Sequence, residues 1–260
     1  MIAFWRPVGT LWWREIIRFV RQRSRLLGAF AQPLVFWLLL GGGMNSSFRP
    51  AAGSGGTNYV EYFFPGVMVM VLLFTAIFAT ISTVEDRREG FLQGVLVAPV
   101  TRAQIVLGQA LGGTTLAVLQ GTIFLALAPL AGIALQISSI LSAIAVMFLV
   151  AFGLTSLGLV IAWRMESTQG FHAVMNLILM PIWFLSGAVF PDAGLPRPLA
   201  WVMRLNPLTY GMAALRRALY SGNTAAVAAL PGLAPALVAT TLFAVIAFFG
   251  ATAMARRAAA

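Results

Sequence analysis

Lysine and cysteine occur nowhere in this 260-residue chain, and histidine occurs once, at position 172. A chain without lysine has no P-loop, whose lysine holds nucleotide phosphates, and no Schiff-base chemistry. One without cysteine has no disulfide, no thiolate nucleophile and no thiolate metal site. A single His172 cannot build a histidine cluster. Charge is scarce as well: 9% of the residues are charged, where a soluble domain carries about a quarter.

Apolar residues, 60% of the total, gather in six stretches at 26–43, 62–84, 103–131, 138–163, 170–190 and 232–254. A helix crosses a hydrocarbon core of about 30 Å with about 20 apolar residues. Five stretches meet that length, and the first sits at its lower edge. The pattern predicts an all-α polytopic membrane protein with six transmembrane helices in a lipid bilayer. The net charge of +10 would suggest nucleic acid in a soluble chain, but its placement explains it without such a partner. Twelve of the 17 basic residues, all arginine, fall before the first stretch, after the second and fourth, or behind the last. The positive-inside rule then puts the N-terminus and the C-terminus in the cytoplasm of a multi-pass plasma (inner) membrane protein. The first residues also lack the short apolar run and small-residue cleavage site of a secretion signal.

The stretches carry no ionisable group at mid-depth, which argues against a carrier driven by ion or proton coupling. A serine–histidine dyad fails on geometry. Ser186 follows His172 by 14 positions on one predicted helix, about 21 Å along the axis. Ser156 is expected about two turns deeper in the membrane than His172. No catalytic residue and no metal site are predicted.

Residues 1–25 read as an amphipathic helix. At about 100° per residue, Arg14, Arg18, Arg21 and Arg25 share a sector about 60° wide. Trp5, Val8, Trp12, Ile16, Phe19 and Val20 take the other side. Such a helix lies in the inner-leaflet interface, and Arg23 on its apolar side predicts a turn there. Gly108 and Gly112 form a GxxxG in the third stretch, which predicts close helix packing without choosing a partner. Pro33, Pro65, Pro129 and Pro181 are expected to kink or end helices. Residues 44–61 form a Gly/Ser-rich outer loop.

The segment 191–231 is too long and too apolar for a plain loop. Asn206 and Pro207 suit an N-cap and first helical position, opening a helix over 207–220, with a shorter helix over 195–205. The pair is read as an outer re-entrant hairpin in preference to helices resting on the outer leaflet.

The segment EDRREGFLQGVLVAPVTR, 85–102, is the most specific. Charged Glu85, Asp86, Arg87, Arg88 and Glu89 precede a short apolar run containing Phe91, Leu92, Val95 and Leu96, closed by Pro99. A brief apolar helix in cytosol has to pack on something, either the membrane surface or a docking partner. Here the chain resembles the permeases of type-2 ATP-binding-cassette exporters, in which a charged element precedes a short coupling helix. FLSGAVFP, 184–191, with LPRPLAWVMRLNPLTYGMAALRRALY, 195–220, is similar to that family's C-terminal part. The likeness to drug, antibiotic and nodulation-type lipo-oligosaccharide exporters covers the whole chain. It implies a separate ABC ATP-binding subunit that carries ATP and Mg, a second permease copy forming a homodimer, and export of an amphipathic or lipid-linked substrate. It also implies ATPase coupling through 85–99 and an outer gate built from Asn206, Pro207, Tyr210, Gly211 and Arg216. A passive channel or membrane scaffold is the competing reading of the spans, and the docking segment argues against it.

Overall fold

A computed structural model describes residues 2–44, 58–191, 195–222 and 224–257, all of whose regular structure is helical. Most of the expected Gly/Ser-rich loop at 44–61 lies outside these residues. In chain order the helices are α1 (Ile2–Arg21), α2 (Arg23–Met44), α3 (Tyr59–Arg88), α4 (Phe91–Val97), α5 (Arg102–Leu125) and α6 (Ile137–Ala162). There follow α7 (Thr168–Trp183), α8 (Arg197–Leu205), α9 (Pro207–Leu219), α10 (Thr224–Val227) and α11 (Leu233–Arg257).

Local chemistry sets several of these boundaries. The Asn58 side chain accepts from the Glu61 N–H to open α3. Thr101 and Gln104 make a reciprocal capping box at α5, satisfying donors that a helix start leaves free. Ser167 caps α7 through the Gly170 N–H, and Asn206 with Pro207 opens α9. Gln22 separates α1 from α2, next to the expected turn at Arg23. Pro129 sits in a 3₁₀ turn after α5, whereas Pro33 and Pro65 lie inside continuous α2 and α3.

The centre of the bundle is α3. Consecutive residues Val67 through Leu73 are all fully buried, which explains why the helix is apolar all round. It packs against α2, α5, α6 and α7, while α11 lies on α6 and α9. Among the described residues, five helices are long and apolar enough to cross a membrane: α2 from Leu27, α3, α6, α7 with the turn after it, and α11. The remaining expected span, α5, has 24 residues, about 36 Å of helix. It is more polar because Gln104, Gln109, Thr114 and Gln120 are buried inside the protein.

Two segments differ from the sequence expectation. Residues 85–88 form the last turn of α3 instead of a loop beyond it. The stretch 170–190 is not one helix, because α7 ends at Trp183 and a π turn follows over Phe184–Ala188.

Candidate functional site

At the end of α3 the chain reverses through Gly90, whose φ of 77° lies in the left-handed region that glycine adopts without strain. This turn lays α4 against the junction of α1, α3 and α5. The α4 helix has two faces. Leu92 points inward and is 3% exposed, in a small core with Ile105, Val106, Leu159, Trp163 and Ala251. Val95 packs on the rim of that core. Phe91 and Val97 point outward, Val97 being 87% exposed. Leu92 therefore anchors α4 to the permease and does not belong to the face offered outward. The side chain of Leu96 lies outside the described residues. Pro99 is exposed just past the helix.

The charges at the end of α3 are wired to α1. Asp86 is fully buried, and Arg14 holds its two oxygens at 2.7 and 2.6 Å. Arg18 bonds the same carboxylate at 2.5 Å and reaches Glu85 at 2.8 Å. The Arg14 guanidinium also lies 3.8 Å from the centre of the Phe91 ring, so one side chain joins α1, α3 and α4. Planar guanidinium makes both the fork onto a carboxylate and the stack onto a ring. Arg87 turns the other way and donates to the Trp163 carbonyl at 2.6 Å, tying this corner to the end of α6. Arg88 and Glu89 are exposed.

Glu15 adds a second buried acid. It is 4% exposed and accepts from the Ser82 hydroxyl at 2.7 Å. Burial pushes its carboxyl above the usual range, and the Asp86 charge acts the same way; Ser82, Arg14 and Arg18 oppose the shift. Arg14 is itself held above its ordinary value. Burial works against its charge, but the Asp86 hydrogen bond and the Asp86, Glu15 and Glu89 charges outweigh it.

The basic face of α1 thus turns onto protein at Arg14 and Arg18, while Arg21 stays exposed. The adjoining side of α1 is seated on α5 through the GxxxG. A Cβ at Gly108 would stand 2.7 Å from the Leu11 Cβ, and one at Gly112 would stand 2.6 Å from the Glu15 Cβ. Trp12 donates across the contact to Thr115 at 3.0 Å. Between α1 and α4 lies a largely apolar cleft of about 710 Å³, bordered by Arg6, Leu11, Phe91 and Val95. Sequence reasoning missed Arg14, Glu15, Arg18, Ser82 and Trp163 as members of this site. The available signal was a helix with a glutamate set among arginines, whose charges could meet those of the run at 85–89.

At the other end of α3 stand the residues expected at an outer gate. Asn206 caps α9 and donates to the Ile182 carbonyl at 2.6 Å. Tyr210 donates to the Arg204 carbonyl at 2.9 Å, tying α9 to α8. Gly211 faces α6 so closely that a Cβ would meet Val150 at 2.8 Å. Arg216 is buried beside Tyr62. His172 lies edge-on to Phe78 and Phe171, and Ser186 donates to the Trp183 carbonyl, so the two belong to different contacts.

The ABC-2 type transporter family model matches residues 6–220, from α1 to the end of α9 and across both sites. The chain is 30% identical over 258 residues to Nodulation protein J of Rhizobium leguminosarum bv. trifolii, covering 98% of this chain and 92% of the relative. It is 28% identical over 260 residues to Nodulation protein J of Rhizobium meliloti (strain 1021), with coverage of 98% and 92%. The putative transport permease ycf38 of Cyanophora paradoxa is 28% identical over 205 residues, 78% of this chain and 70% of that one. With its apolar helices and this match over most of its length, the chain belongs to the ABC-2 type transporter family and is a multi-pass membrane permease.

Proposed function

We propose that this permease is the membrane subunit of an ATP-driven exporter whose energy comes from a separate ABC ATPase chain carrying ATP and Mg²⁺. The observation that carries the reading is the α4 junction: a short helix with an apolar outer face, braced by Arg14 and Asp86. In this reading the ATPase binds the Phe91–Val97 side, and its stroke moves α4. Arg14 passes the movement to α1, Asp86 passes it to α3, and Arg87 passes it to the end of α6. A bidentate guanidinium–carboxylate pair whose acid is buried suits this role because its geometry is directional.

The same proposal makes α5 a sixth span, puts both termini in the cytoplasm of the inner membrane, and pairs two copies of the chain. It makes α8 and α9 a re-entrant outer hairpin. A recess of about 510 Å³ lies between the starts of α2 and α7 and the end of α3, lined by Ser24, Phe78, Ile81, Glu85, Thr168, Gln169 and His172. Polar groups beside an aromatic wall at the cytoplasmic end suit the head of an amphipathic or lipid-linked substrate.

Val97→Asp tests the reading. Val97 is 87% exposed, so the variant is expected to insert and fold as wild type. It should lose the ATPase in pull-down, because an unpaired carboxylate buried at the contact costs roughly several kcal/mol. Retained ATPase binding and ATP-dependent export would reduce α4 to a membrane-surface helix, whereas a wild-type protein that binds no ATPase and shows no ATP-dependent export would favour a channel or scaffold.

A further inference from the structure

Beyond α7 the backbone leaves the helical path, with Leu185 at φ −88°, ψ 18° and Gly187 at φ 80°, ψ 12°. A turn of this kind frees carbonyls that, at membrane depth, other protein groups have to satisfy. Side chains from two other helices do so. The Ile182 carbonyl accepts from Asn206 at 2.6 Å, and the Leu185 carbonyl accepts from Thr209 at 3.3 Å. The Val189 carbonyl accepts from the Tyr59 hydroxyl at 3.2 Å. The Gly187 carbonyl takes two donors, the Tyr62 hydroxyl at 3.0 Å and the Arg216 guanidinium at 2.8 Å.

Arg216 is an unusual pin. It is 6% exposed, its guanidinium lies 4.0 Å from the centre of the Tyr62 ring, and its Nε has no hydrogen-bond partner. Among the described residues no carboxylate lies within ion-pair distance of it. Among the described residues the buried cation is held by the Tyr62 and Gly187 carbonyls and a π face. Gly66 brings α3 against the same turn, where a Cβ would stand 2.5 Å from the Ala188 carbonyl oxygen.

We propose that Tyr62 and Arg216 are a latch that holds the 184–188 turn closed, and that the outer end of the permease opens by releasing their shared acceptor, the Gly187 carbonyl. Individual side-chain-to-carbonyl bonds are weak enough to break and re-form in each cycle. A released Arg216 that stayed buried would be strongly unfavourable, so release draws water to the guanidinium and couples opening to wetting of the outer end. The proposal rests on the exporter reading for what the opening serves. Tyr62 and Arg216 are positioning residues in it.

The test uses the cysteine-free chain carrying Ser186→Cys as a reporter, co-expressed with its ATPase in membranes. Ser186 is 1% exposed, so an impermeant maleimide added from the outer side labels it slowly while the turn is closed. Adding Tyr62→Phe, which removes one donor and keeps the ring, should speed labelling about threefold, and Arg216→Gln about tenfold or more. Arg216→Lys should fall between wild type and Arg216→Gln, because an ammonium lacks the planar fork. Arg217→Gln should label at the parent rate, since Arg217 donates instead to the Pro231, Val227 and Leu230 carbonyls. Parent-rate labelling in both Tyr62→Phe and Arg216→Gln overturns the latch, as does equal acceleration by Arg217→Gln. If Arg216→Gln fails to insert, Tyr62→Phe decides alone. Labelling needs no transport, so a parent protein that never exports would sink the exporter reading and leave the latch result standing.

Discussion

Asp86 and Glu15 are both buried carboxylates near the same arginines, and their roles are opposite. Asp86 takes three guanidinium hydrogen bonds, so Asp86→Ala removes the acceptor that joins Arg14 and Arg18 and leaves them to Glu15 and Glu85. It should cost about 1–3 kcal/mol, read as a fall in melting temperature in detergent and loss of export. Glu89→Ala, at an exposed position, should melt within about 1 kcal/mol of wild type. Glu15 is held above the usual carboxyl range, first by burial, so its ionised form is disfavoured in the folded protein. A carboxyl whose pKa is raised on folding weakens stability at pH above that raised value, and the penalty fades as pH falls through it. Glu15→Gln keeps an acceptor for the Ser82 hydroxyl and should raise the melting temperature at neutral and alkaline pH. That gain should shrink on acidification; a gain that is constant with pH would refute the assignment.

Among elements, α1 has the most to lose from small changes. Lipid offers no hydrophobic reward for helix association, so close backbone approach and van der Waals contact decide which helices pair. The GxxxG of α5 meets α1 through Gly108 and Gly112, with no room for a methyl group at either. Gly112→Ala should cost about 1–3 kcal/mol by overpacking and should loosen α1, read as faster proteolysis near Gln22. Gly94 in α4 has open space around it, so Gly94→Ala should leave melting unchanged or raise it by up to about 1 kcal/mol. If the two variants melt alike, the α1–α5 contact is not the one described.

For the whole molecule, the arginine asymmetry sets the orientation to be tested. Cysteine introduced at Gly222, exposed just after α9, should react with an impermeant reagent from outside the cell. Cysteine at Arg257, exposed at the end of α11, should react only after the membrane is opened. Outside labelling of position 257 would overturn the topology. If α5 is a span, α6 begins on the Gly222 side, and cysteine at exposed Ser138 should label as Gly222 does.

Fold class, helix order and most boundaries were legible in the chain because they depend on local chemistry. Apolar length sets a span, and Asn206–Pro207 starts a helix whatever lies around it. Family membership was legible for the same reason, through short contiguous elements at 85–102 and 184–220. Pairing across the fold was not legible. The GxxxG announced a close contact, but only the packed bundle shows that its partner is the N-terminal helix. Leu92 and Phe91 are adjacent and both apolar, yet one is core and the other outward, because Leu92 points into the gap between α5 and α6. The break at Leu185 and Gly187 left little trace in composition, since what makes it tolerable is a set of donors from Tyr59, Tyr62, Asn206, Thr209 and Arg216, brought together only in three dimensions. Arginines counted from the sequence as positive-inside markers are in part fixed partners of Asp86 and Glu85. A charge reports its side of the membrane locally, but its meeting with Glu85 or Asp86 depends on residues 67 or more positions away.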